Sequence, residues 1–158
     1  VPGIMVWPAR IEAGTRYPHP VSTLDFLPTF MVAADPQSEP RPEWDGVDLI
    51  PHLTGQDPSR PHRALFWKKE NRGVIRRGDW KLIRFPDRPA ELYHIPRDPA
   101  EQHDLATEHP ELVRELFQEL FAWEGGLRRP LWQLERRFET KAAERMDTYR
   151  THSRDMVR

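Results

Sequence analysis

The sequence predicts an α+β chain: an antiparallel sheet of up to four strands, packed by one α-helix and followed by a helical extension. Three observations carry that expectation. Between residues 60 and 95, short runs rich in aromatic and branched side chains (Phe66, Trp67, Val74, Ile75, Trp80, Ile83, Tyr93) suit a pleated surface packed on one side. Gly78-Asp79 separates two of these runs by the two residues of a tight hairpin. From residue 109 to 124, Leu112, Val113, Leu116, Phe117, Leu120 and Phe121 form one helical stripe, with Pro110 near the start and Gly125-Gly126 at the stop.

Taken in order, residues 1–7 (VPGIMVW) read as a short buried strand, ended by Pro8 and a polar turn containing Gly14. The run "HPVSTLDFLPTFMVAAD" offers Ser22 or Thr23 as an N-cap, with Leu24, Leu27, Met31 and Ala34 at helical spacing. Pro28 removes one backbone donor, so a short turn to Leu27 and a helix resuming at Pro28 are expected. "DPQSEPRPEWDG" is a Pro-rich loop, and "VDLIPHLTG" a brief helical turn closed by Gly55. "RALFWK", "RGVIRR", "WKLIRF" and "AELYHI" are the four strand candidates. After residue 126, Leu131, Leu134, Phe138, Ala142, Met146 and Tyr149 mark a final amphipathic helix.

Composition bounds the function classes. The 158 residues are 37% apolar and 31% charged, with 17 Pro, the balance of a surface-rich portion of something larger. A start inside an apolar run without Met carries the same expectation. Zero Cys removes disulfides, thiolate metal sites and cysteine nucleophiles together. No apolar run approaches the roughly 20 residues of a membrane-spanning helix. Residues 128–158 carry nine basic and five acidic side chains, so the rest holds about −5 of the net −1. Those basic residues alternate with Glu and Asp along a helical pattern, a solvated face rather than a nucleic-acid surface.

No reacting constellation is visible. None of the seven His has zinc-pair spacing: His103 and His109 lie six apart, and His19, His52, His62 and His94 each sit alone beside Pro, loop or strand signals. Asp98, Glu101 and Asp104 lack the turn Gly and closing Glu of a calcium loop and read as turn and capping residues. Asp25, Asp45 and Asp48 read as helix caps. No Gly-x-Ser-x-Gly elbow surrounds Ser22, Ser38, Ser59 or Ser153.

Five segments, taken in order, nevertheless resemble the C-terminal portion of the sulfatase family, within the alkaline-phosphatase-like superfamily. They are "VPGIMVWPARIEAGT", "VSTLDFLPTF" for Ser-x-x-Asp-Leu-x-Pro-Thr, "DGVDLIPHLTG" for Asp-Gly-x-Asp-Leu-x-Pro-x-Leu-x-Gly, "FW" with "VIRRGDWKLIR", and "ELYHIPRDPAEQHDLA". Together they cover about residues 1–106. His94 departs from the acidic or Asn residue common after Leu-Tyr, and nothing after Gly126 matches.

The resemblance implies three regions: 1–58, the end of the catalytic α/β sheet; 59–126, the C-terminal sheet and helix; and 127–158, the extension. It also implies a parent that hydrolyses sulfate esters with a formylglycine nucleophile and calcium. Both lie with their ligands and the catalytic Lys and His upstream, so this chain holds no catalytic or metal residue and is expected to be inactive alone. Pro58-Ser59-Arg60 matches only the tail of the nucleophile motif, because Gln56 occupies the nucleophile's place. The implied partners are the upstream catalytic domain and a small-molecule or sugar sulfate. Lys68, Lys69 and Arg72, on an expected loop over residues 67–73, would meet an anionic sugar. A related phosphonate monoester or phosphodiester hydrolase, and a non-catalytic α+β binding module, are the alternatives.

Overall fold

The computed structural model describes residues 3–39, 41, 43–69, 71–128, 131, 135, 138, 141, 144, 147 and 148. Its four strands are β1 (Ala64–Lys69), β2 (Arg72–Arg77), β3 (Trp80–Arg84) and β4 (Glu91–His94), antiparallel and paired in chain order. Gly78-Asp79 sets the register. Arg77 faces Trp80, and Gly78 takes φ 60°, the left-handed first position of a II′ turn.

Alternation from that turn assigns both faces. Phe66, Ile75, Trp80, Leu82 and Leu92 pack toward α3 (Pro110–Gly126), where Leu116 and Leu120 are fully buried. Each such buried aliphatic contributes roughly 1.5–3 kcal/mol. The opposite face carries a second cluster of Ile83, Phe85 and Tyr93, with Val74 and Ile95 against it. Two members of the α3 neighbourhood differ from expectation. Phe121 lies 53% exposed against Phe117, while Trp123, outside the expected stripe, stacks on Phe66 with ring centroids 5.1 Å apart. Gly125 and Gly126 are the last helical residues, and Leu127 is the C-cap.

The chain divides into two units, Val1–Arg63 and Ala64–Arg158. In the first, residues 3–7 form no strand, and Ile4 and Val6 are 94% and 79% exposed. The expected strand fails because its amides need a neighbouring ladder, and no strand lies beside it among the described residues. The helical segment begins as a 3-10 turn, Thr23–Asp25, and continues as α1 (Phe26–Ala34), so Pro28 falls in the first turn of α1, where its missing donor costs nothing. Its buried side is Asp25, Pro28 and Thr29, whereas Leu24 and Leu27 of the expected stripe are exposed. A short α2 (Ile50–Leu53) is followed by Gly55 at φ 75°.

Most of the expected helix over residues 131–149, including Leu134, Ala142, Met146 and Tyr149, lies outside the described residues. Phe138, Lys141, Glu144, Asp147 and Thr148 have helical backbone, and Arg88 grips Asp147 with both guanidinium nitrogens at 2.9 and 3.2 Å. Among the described residues, no helix is long and apolar enough to cross a membrane.

Candidate functional site

Residues 67–69 and 72–73 are strand rather than loop. Lys69 lies directly opposite Arg72, and Lys68 opposite Gly73. Because side chains alternate, the three cations expected together separate: Lys68 projects to the α3 face, Lys69 and Arg72 to the other.

On the α3 face Lys68 is tied into an ion-pair network. Its Nζ donates to Glu124 Oε2 at 3.2 Å, while Arg84 Nη2 donates to Glu124 Oε1 at 2.7 Å and Arg84 Nη1 to the Asn71 carbonyl at 3.0 Å. A carboxylate in the last turn of a helix opposes the helix dipole, and these two cations offset it. Burial pushes the Glu124 carboxyl up, but the Arg84 and Lys68 hydrogen bonds outweigh it and hold the group below its ordinary range. Gly73 lies close beneath this network: a Cβ there would stand 2.5 Å from Glu124 Oε1 and 3.1 Å from a Leu120 methyl, so a larger residue would displace those side-chain ends. Further along α3, Arg77 reaches Glu115 at 2.8 Å and Glu119 at 2.5 Å, neighbours one turn apart.

The first unit holds a buried polar knot that sequence reasoning broke into separate caps. Asp25, fully buried, accepts from the Ser22 amide at 2.7 Å in a capping box, from the Val47 amide at 3.0 Å, and meets His62 Nε2 at 2.8 Å. Thr29 Oγ1 donates to the Asp25 carbonyl at 2.6 Å and accepts from the Leu49 amide at 3.0 Å. Gly46 lets the two segments touch: a Cβ there would fall 2.0 Å from the Leu24 carbonyl oxygen. The Ser22-to-Thr29 and Asp45-to-Leu49 motifs therefore encode one crossing of two segments, pinned by His62. The signal in the sequence was the fixed order of Ser, Asp, Thr and Gly; the His was invisible because its partner lies 37 positions away.

The remaining candidates serve the scaffold. Asp98 accepts from the Gln102 and His103 amides, each at 2.8 Å; burial alone would raise its carboxyl, yet these bonds lower it. Asp104 accepts from the Leu92 and Ala106 amides, and Glu101 accepts from Lys81 at 2.5 Å. His94 and His109 set their rings edge-on to Trp80 at 4.9 and 5.0 Å, and His52 Nδ1 lies 3.1 Å from the Ser59 carbonyl. Tyr17, between His19 and His52, has its phenol pushed up by burial and by Asp57. Among the described residues, no three His, Asp or Glu side chains converge as metal ligands.

No family model matches the chain. It is 28% identical over 134 residues to the N-acetylgalactosamine-6-O-sulfatase of Bacteroides thetaiotaomicron, covering 73% of this chain and 25% of that protein. It is 29% identical over 144 residues to arylsulfatase A of Bos taurus, covering 74% and 28%. Among solved structures, Ps i-CgsB matches with a TM-score of 0.69 and 27% identity over 85% of this chain and 31% of that one; the same protein is known in complex with k-i-k-neocarrahexaose. The chain spans about a quarter of the length of these curated relatives. In sequence this chain is similar to sulfatases, and in fold to Ps i-CgsB.

Proposed function

We propose that this chain is the C-terminal portion of a sulfatase, a sulfuric ester hydrolase with an alkaline-phosphatase-like fold. One observation carries the reading: similarity to curated sulfatases extends over about three quarters of this chain and about a quarter of theirs. The geometry supports it, since the family-like motifs at Asp25, Gly46 and Asp104 are occupied with backbone amides and close approach rather than with open chemistry. A formylglycine nucleophile, a cation site and the general acid then belong to the preceding part of the parent, which is the partner of this chain. In this reading calcium takes its ligands from the preceding part, and one oxygen of each of Asp98, Glu101 and Asp104 is engaged by amides or by Lys81. In this reading Lys69 and Arg72 face the substrate's anionic part, and Lys68 holds Glu124. Sugar sulfates are the favoured substrates, in line with the N-acetylgalactosamine-6-O-sulfatase and with the oligosaccharide complex of Ps i-CgsB.

The test is an aryl sulfate assay in calcium buffer. The 158-residue chain alone should release no sulfate above background, because catalysis needs a nucleophile, a cation and an acid brought together. The full-length parent, produced with a formylglycine-generating enzyme, should turn over. Sulfate release by the isolated chain, or none by the parent, would overturn the reading.

A further inference from the structure

We infer that the C-terminal segment carrying Asp147 is a releasable strap, clipped to the rim of the sheet face away from α3 by a carboxylate socket that Arg88 forms with Asp87 and Phe85. The inference does not rest on the sulfatase reading. Its basis is that the socket is oriented independently of the strap. Arg88 stands in the connection between β3 and β4, residues 85–90, with Pro86 and Pro89 fixing the backbone on either side. Its Nε and Nη2 donate to the two Asp87 carboxylate oxygens at 3.2 and 3.0 Å, and its guanidinium carbon lies 5.3 Å from the centroid of the Phe85 ring. The bond to Arg88 holds the Asp87 carboxyl below its ordinary range. A guanidinium already held along one edge and one face loses little freedom when its other edge takes a second carboxylate.

That second carboxylate is Asp147. Arg88 Nη1 and Nη2 donate to Asp147 Oδ1 and Oδ2 at 2.9 and 3.2 Å, so fork meets fork. Glu144, Asp147 and Thr148 have helical backbone, and the Thr148 hydroxyl donates to the Glu144 carbonyl at 2.9 Å, so Asp147 is presented from a helical turn. The clip joins positions 59 apart and lies beside Phe85, which with Ile83 and Tyr93 is buried on that sheet face. Its strength is what makes the strap releasable. The Arg88 and Asp147 side chains are 33% and 49% exposed, so water and salt screen the pair, and a pair of this kind biases the segment toward the docked form by only about three- to fivefold.

Tryptic cleavage after Lys141 in the dilute 158-residue chain tests this, because a docked helical segment must open to enter a protease and the rate follows the open fraction. Arg88→Ala and Asp147→Asn should each speed cleavage about threefold. The double variant should be no faster than either alone, as for two partners in one interaction. The exchanged pair Arg88→Glu/Asp147→Arg should recover slow cleavage, whereas Arg88→Glu by itself should not. Added salt should speed cleavage of the unaltered chain and leave the rate in Asp147→Asn, already released, as it was relative to Arg88→Ala. Arg114→Ala, which breaks an exposed ion pair to Glu111 on α3, is the control and should cleave as the unaltered chain does. Amide protection at Leu82 and Leu92 reports whether each variant keeps its sheet, and Asp147→Asn, outside the sheet, tests the clip even where a change at Arg88 disturbs the loop. An unaltered rate in Asp147→Asn, additive effects of the two single changes, or no recovery in the exchanged pair would overturn the strap.

Discussion

Asp25 shows how one side chain can hold three separate stretches of chain. Its fully buried carboxylate gathers two amides and a histidine nitrogen, so removing it leaves three partly buried partners unanswered. Asp25→Ala should therefore cost roughly 3–5 kcal/mol in urea unfolding. Asp35 makes a comparable pair of bonds, to the Gln37 amide and the Ser38 hydroxyl, but at an exposed turn. Asp35→Ala should cost at most about 1 kcal/mol. Equal losses would mean that the knot around Asp25 does not carry the first unit. From sequence, Asp25 looks like a cap; only the fold shows that it is also a crossing point.

At the scale of elements, Glu124 ties the last turn of α3 to β1 and β3, and the pH dependence of that tie follows from the direction of the shift. The folded state holds this carboxyl below its ordinary range, so its contribution is fully present above the unfolded value and is lost as pH falls through the lowered folded value. Glu124→Gln should remove the acid-side part of that dependence while costing about 1–2 kcal/mol at neutral pH. Amide exchange at residues 71–73, followed from pH 7 down to about 3, is the measurement. Acid-induced loosening of the hairpin that persists unchanged in Glu124→Gln would assign the effect to another carboxylate, with Asp87 and Asp98 the other lowered carboxyls in this unit. What was legible in the sequence follows the same divide between local and distant. Gly78-Asp79 sets its turn within two residues, and the α3 stripe repeats within one helix, so both could be read directly. Residues 3–7 and the outer face of α1 could not, because an apolar run says that it wants cover without saying from where. The candidate cations at 68, 69 and 72 stand out in the sequence by charge, but their division between two faces needed the register.

For the whole molecule, α1 is the element that the sulfatase reading leaves most to explain. Its sequence, Phe26–Ala34, contains no charged residue, yet Phe26, Leu27 and Phe30 are 42%, 56% and 57% exposed, and the two phenylalanines stack with centroids 5.8 Å apart. A helix apolar all round belongs inside a larger body. Relatives about three times as long supply such a body, and in the proposed reading the outer face of α1 is covered by the preceding part of the parent. Separated from it, the 158-residue chain should bind a hydrophobic dye and self-associate as concentration rises, because an exposed apolar patch is covered by whatever is at hand. Leu27→Glu with Phe30→Glu should abolish both behaviours and leave the helical circular dichroism unchanged, since neither side chain is among the buried residues of α1. In the full-length parent the same pair should instead impair folding, as it would place two carboxylates in an interior. Sedimentation of the isolated chain as a dye-silent monomer, or full-length protein that tolerates both glutamates, would show that this face of α1 is solvent-facing by design and would favour a self-contained binding module.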